Sequence, residues 1–60
     1  MSDVVVKFGQ GGQYLGTEGS AVRRVKMKYE DYERMCQEVP RKMRNIGCAL
    51  RYGGELIDGK

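Results

Sequence analysis

The chain has no histidine and no tryptophan, one proline (Pro40), one phenylalanine (Phe8) and two cysteines, Cys36 and Cys48. Without histidine, the commonest general base and metal ligand is missing. Two cysteines would need two further soft or imidazole ligands to hold a metal, and the sequence offers none, so neither a metal nor another cofactor is expected. The longest apolar run is Val4-Val5-Val6, far too short to span a membrane. No hydrophobic stretch follows Met1 that would act as a secretion signal. The expected setting is therefore intracellular and cytoplasmic, with both thiols reduced and buried rather than joined as a disulfide.

What is present is a mixed, mildly basic chain. Apolar residues make up 40%, too many for a disordered chain, and 11 cations against 8 anions give a net charge of +3, too mixed for a polybasic tail. Sixty residues (1–60) make one domain. A domain of that size buries only about 60% of the surface its unfolded form exposes. Pairing into a homodimer is the expected further source of stability.

Asp3 to Phe8 reads as a strand, since Val4, Val5, Val6 and Phe8 are β-branched or aromatic. Gly9-Gln10-Gly11-Gly12-Gln13 breaks it as a turn or mobile loop, and Tyr14-Leu15 resumes a short strand. Gly16 to Ser20 is turn chemistry again. From Ala21 to Tyr29 the pattern alternates: Ala21, Val25, Met27 and Tyr29 share one face with the exception Arg23, while Val22, Arg24, Lys26 and Lys28 share the other. Glu30 to Ile46 carries a helical stripe of Tyr32, Met35, Cys36, Val39, Met43 and Ile46. Acidic residues open this segment, and Arg41, Lys42 and Arg44 lie near its end, as the helix dipole favours. Gly47 is placed as the residue after the C-cap. Pro40 interrupts the stripe without changing its phase, which predicts a kinked helix or two short helices in line. Cys48, Leu50 and Tyr52 alternate as a further strand. Gly53-Gly54 reads as a hairpin turn leading to a last strand over Glu55–Asp58. The resulting class is α+β: a small antiparallel sheet of three to five strands with one amphipathic helix on one face, in the order β-(β)-β-α-β-(β).

Catalysis is not expected. Glu30, Arg34, Glu38 and Lys42 sit four apart and neutralise one another along a helix surface. Cys36 falls on the apolar stripe, with no histidine to activate it. The glycine loop lacks the third glycine of a dinucleotide fingerprint and the Gly-Lys-Ser/Thr of a P-loop, and no helix begins after it.

The cation row Arg24, Lys26, Lys28 carries more meaning. Alternate strand residues lie about 6.8 Å apart on one face, a spacing comparable to successive phosphates. Such a row gives affinity for nucleic acid without base information. Eight of the 11 cations fall in two windows plus one residue: Arg23, Arg24, Lys26 and Lys28; Arg41, Lys42 and Arg44; and Arg51. If the windows share a face, their field would draw polyanions. Tyr14 and Phe8 flank the glycine loop, and with Tyr52 they are candidates for base stacking. Tyr29 and Tyr32 are expected in the core, and Met27, Met35 and Met43 on inward faces.

A basic strand leading straight into an amphipathic helix, from Ala21 to Met35, resembles the opening of ribbon-helix-helix repressors. That likeness implies paired strands in the DNA major groove. It covers about a quarter of the chain. The second long helix of those proteins has no counterpart, since Gly47 and Gly53-Gly54 occupy its place.

The expected function is thus a small, non-enzymatic nucleic-acid-binding protein, using Arg24, Lys26 and Lys28 on phosphates with Arg23, Arg41, Arg44 and Arg51 adding to the field. The alternative is an adaptor or inhibitor of the compact kind that viral and phage genomes encode. It would bind a protein partner through an edge strand at Val4–Phe8, the glycine loop and a methionine-lined helix.

Overall fold

The valine-rich segment forms strand β1 (Asp3–Phe8) in the computed structural model, which describes residues 2–57. β1 pairs antiparallel along its whole length with β3 (Arg23–Lys28), in a register that sets Val4 opposite Met27, Val6 opposite Val25 and Lys7 opposite Arg24. The short strand β2 (Tyr14–Gly16) pairs with the other side of β1 at Lys7 and Phe8 only, with a bulge between those positions. A fourth strand, β4 (Glu55–Leu56), pairs with β3, so the sheet order is β2-β1-β3-β4. The expected α+β class and antiparallel sheet are what the chain adopts. Asp58, the expected end of the last strand, lies outside the described residues.

Helix α1 spans Tyr29–Glu38, with Glu30 and Asp31 in its first turn where the dipole favours anions. It ends because Pro40 follows. A residue before proline is pushed out of the helical region, and Val39 is extended at φ −118° and ψ 123°. The chain then makes a 3-10 turn, Arg41–Met43. Pro40 therefore separates two helices rather than kinking one. The second is not in line with the first and starts later, as α2 (Ile46–Arg51).

α2 replaces the strand expected at Cys48–Tyr52. Asn45 caps it, its Oδ1 accepting the Cys48 N–H at 2.8 Å. At the other end Gly53 takes φ +103°. The Gly53 N–H donates to the Leu50 carbonyl at 3.2 Å, and the Gly54 N–H to the Ala49 carbonyl at 2.9 Å. These two bonds form a Schellman C-cap. Gly53-Gly54 thus ends a helix rather than turning a hairpin, and Gly47 lies inside a helix rather than after one.

Both helices cover the same side of the sheet. Val6, Phe8, Val25 and Met27 from the strands meet Tyr14, Met35 from α1 and Ala49 from α2 in one buried cluster. Tyr32, Cys36, Val39 and Ile46 pack around it, half-buried. Two expected core residues are outside: Tyr29 is 51% exposed and Met43 66% exposed. Met43 lies in the 3-10 turn, where the helical phase that placed it inward no longer holds. The charge ladder also stops short, because Lys42 lies beyond α1, and Arg34 pairs instead with Asp31 at 3.5 Å. Cys36 and Cys48 are free thiols, and among the described residues no helix is long and apolar enough to cross a membrane.

The ribbon-helix-helix geometry is not met. β3, the basic strand, has β1 on one side and β4 on the other within its own chain. β4 occupies the outer edge of β3 at Val25 and Lys26, where a dimer's paired strand would lie, and the following second helix has only six residues.

Gly54 sits where this packing is tightest. A Cβ there would lie 2.5 Å from Val25 Cγ1 and 2.8 Å from the Ala49 carbonyl oxygen, which is fixed in the helix cap. Gly54→Ala is expected to lower stability by about 2 kcal/mol in urea unfolding. Gly47→Ala meets only ordinary contact at 3.4 Å. It is expected to raise stability by about 0.5 kcal/mol through helix propensity. Equal effects of the two substitutions would contradict the α2 assignment.

Candidate nucleic-acid interface

The side of the sheet away from the helices carries the cations. Alternation in β3 sends Arg24, Lys26 and Lys28 to this face, and all three are exposed. The β1–β3 register adds Lys7 beside Arg24, Val5 beside Lys26 and Asp3 beside Lys28. β4 adds Glu55 beside Lys26. The result is a row of about 14 Å from Arg24 to Lys28, widened at one end by Lys7 and flanked by Asp3 and Glu55 at its rims. Lys7 escapes a reading by sequence windows, because only the strand register shows what it stands beside.

The two basic windows do not share a face. Tyr14 pairs with Phe8 and points with it to the helix side of the sheet. The Cζ atoms of Arg41 and Arg44 each lie 5.0 Å from the centroid of the Tyr14 ring. These arginines, like the half-buried Arg23 that pairs with Phe8, therefore belong to the helix side, opposite Arg24, Lys26 and Lys28. Arg51 is exposed at the end of α2, beside a cleft it shares with Arg34, Glu38 and Tyr52.

The aromatic candidates are committed to the interior. Phe8 is fully buried and meets Tyr14 edge-on at 6.0 Å, so no base can stack on it. Tyr14 is 9% exposed, and its hydroxyl shares a 3.0 Å hydrogen bond with the Tyr32 hydroxyl. Cys36 Sγ lies 3.9 Å from the same Tyr14 oxygen. Tyr52 is half-buried, with the Arg34 guanidinium 5.6 Å from its ring and its hydroxyl donating to Glu38 Oε1 at 2.7 Å. That bond to a carboxylate holds the Tyr52 hydroxyl protonated beyond the usual tyrosine range.

Arg44 organises the helix side. Its Nε donates to the Val39 carbonyl at 2.9 Å and its Nη2 to the Cys36 carbonyl at 2.8 Å. These are carbonyls that the end of α1 leaves without helical partners. The glycine loop is a hydrogen-bonded turn. The Gly9 N–H donates to the Gln13 carbonyl at 2.9 Å, the Gly12 N–H to the Gly9 carbonyl at 2.9 Å, and the Ile46 N–H to the Gly12 carbonyl at 3.2 Å. Gln13 also forms an antiparallel bridge with Asn45.

Among the described residues no group of three or more Cys, Asp or Glu side chains is placed to hold a metal ion. No protein-family model, no curated protein and no solved structure matches the chain.

The Tyr14–Tyr32 contact has a pH signature. Its hydrogen bond, then burial, then Cys36 raise the Tyr32 pKa well above the ordinary tyrosine value. A group whose pKa is raised by folding gives stability that is complete below its unfolded pKa, about 10, and is lost as pH climbs beyond it. Tyr32→Phe is expected to cost about 1 kcal/mol at pH 8. It should also lose less stability than the parent between pH 8 and pH 11. Parallel losses in urea unfolding at the two pH values would contradict this coupling.

Proposed function

We propose that the protein binds nucleic acid through the outer face of its sheet, as a non-enzymatic binding module. The observation that supports this reading most is the β1–β3 register. It continues the row Lys28, Lys26, Arg24 onto Lys7, on the face opposite both helices. Cations at strand spacing, exposed at Arg24, Lys26 and Lys28 and half-buried at Lys7, suit a run of phosphates. The strand residues of that face include no aromatic side chain, so contacts there are to phosphate and carry little base information. Limited sequence specificity follows.

A second reading is favoured by one feature of β1. Its pairing with β2 stops at Lys7, and among the described residues no strand pairs with Asp3–Val6 on that side. An extended segment of a protein partner, or of a second copy, would add there by strand pairing. Charge on the sheet face would matter little to such binding, so one experiment separates the readings.

Fluorescence anisotropy with labelled single-stranded DNA, RNA and duplex DNA supplies it. The expected result is micromolar binding at low salt. For a single strand, log Kobs should fall with log salt at a slope of about −3, as four phosphate contacts imply. Lys26→Glu with Lys28→Glu should weaken binding at least tenfold while the circular dichroism spectrum stays unchanged. Binding that survives the double reversal would overturn the sheet-face reading.

A further inference from the structure

The helix side of the sheet has a feature that the sheet-face reading does not use. A groove of about 590 Å³ opens between the glycine loop and the 3-10 turn. Gly11 and Gly12 form one wall, and Arg41, Lys42 and Arg44 stand across from them. No carboxylate is among its lining residues. Its volume falls in the range of small-molecule sites, roughly 300–1,000 Å³.

The chemistry of the lining is one-sided. Arginine and lysine only donate hydrogen bonds. Arg44 spends Nε and Nη2 on carbonyls, which fixes its guanidinium and leaves the Nη1 donors. The two amide side chains of the groove have their oxygens engaged. Gln13 Oε1 accepts from the Gly11 N–H at 3.1 Å, and Asn45 Oδ1 from the Cys48 N–H at 2.8 Å. What each presents further is its NH2 group. The Tyr14 hydroxyl is bonded to Tyr32. The lining thus offers the anchored Arg44 guanidinium, two amide donors and three positive charges in all.

The charges are also close. With both guanidinium carbons 5.0 Å from one ring centroid, they lie within about 10 Å of each other. A Debye length at physiological salt is about 8 Å, so charges at this spacing still act together on a ligand that reaches both. An anion within reach of both would be attracted by both. Glycines on the facing wall, without side chains, let a ligand approach the backbone closely.

We propose that this groove binds a phosphate monoester dianion. Arg41, Lys42 and Arg44 would hold the charge, and the Gln13 and Asn45 amides would donate to its oxygens. Two sources share that chemistry, a free mononucleotide and the 5′-phosphorylated end of a nucleic acid strand. The proposal stands independently of the sheet face, since methyl phosphate is a phosphate monoester dianion with no base and no chain.

The test is an amide NMR titration of the whole chain in phosphate-free buffer at constant ionic strength. Methyl phosphate is expected to shift the Gly11, Gly12, Gln13 and Asn45 amides saturably. Arg41→Ala with Lys42→Ala should weaken that binding at least tenfold, and Lys42→Ala alone about threefold. Lys26→Glu with Lys28→Glu should leave it unchanged, which keeps failure here distinct from failure of the sheet-face reading. Adenosine monophosphate binding as tightly as a 5′-phosphorylated pentanucleotide assigns the groove to free nucleotides. A preference of fivefold or more for the phosphorylated pentanucleotide over both its 5′-hydroxyl form and the mononucleotide assigns it to strand ends. Shifts that chloride reproduces, or binding unchanged by removal of Arg41 and Lys42, would overturn the proposal.

Discussion

Arg44 reaches back from beyond the 3-10 turn to the carbonyls of Cys36 and Val39, at 2.8 and 2.9 Å, closing an end of α1 that Pro40 has cut short. The rest of the helix side depends on that contact. It holds the reversed chain against Tyr14, whose ring it covers and whose hydroxyl meets Tyr32. It also brings Asn45 to the bridge with Gln13, where α2 begins. One side chain thus joins the termination of a helix, the placement of the next and the wall of a groove. Lysine would not replace it, having neither the planar fork nor its five donors.

The sheet separates the two basic regions. On one side, hydrophobic positions of β1 and β3 meet the helices in a core whose fully buried side chains are few: Phe8, Met35, Val6 and Val25 are the largest. A core of that size leaves little reserve. The Tyr14–Tyr32 bond, the Arg44 clamp and the Gly53-Gly54 cap therefore weigh heavily for a chain of this length. On the other side, Lys7, Arg24, Lys26 and Lys28 share the face opposite both helices. The same alternation produces both, since strand residues two apart must face the same way. A repacked core would cost stability, whereas the outer face can change charge with little effect on the fold. That is why charge reversal there is a clean probe of function.

The strands β1 and β3 were legible because β-branched residues and period-two alternation act locally; β2 followed from the glycines on either side of it, and the last strand was placed rightly from a hairpin turn that is in fact a helix cap, so its partner is β3. The helix boundary at Pro40 was half legible, since proline marks a break without saying which way the chain goes next. α2 was not read. Cys48, Leu50 and Tyr52 alternate, and two glycines follow, which together mimic a hairpin. Asn45 and Gly53 were the signals for a helix, an N-cap and a C′ glycine bracketing seven residues, and a stretch that short carries too little periodicity to outweigh the alternation. The cation row could be read from β3 alone, but Lys7 needed the strand register. The aromatic candidates failed for a related reason. Phe8 and Tyr14 flank a glycine loop in sequence, yet the sheet turns both toward the core. The convergence of Arg41 and Arg44 on Tyr14 spans residues 27 and 30 positions apart and has no local signature.

The central claim is that the outer sheet face is the surface that meets nucleic acid. The most direct measurement is a map of side-chain resonances, lysine Nζ and arginine Nε, on addition of a 5′-hydroxyl oligonucleotide. The account predicts changes concentrated at Lys7, Arg24, Lys26 and Lys28, with Arg44 unaffected. Changes confined to the helix side, or none at any oligonucleotide concentration at low salt, would contradict it.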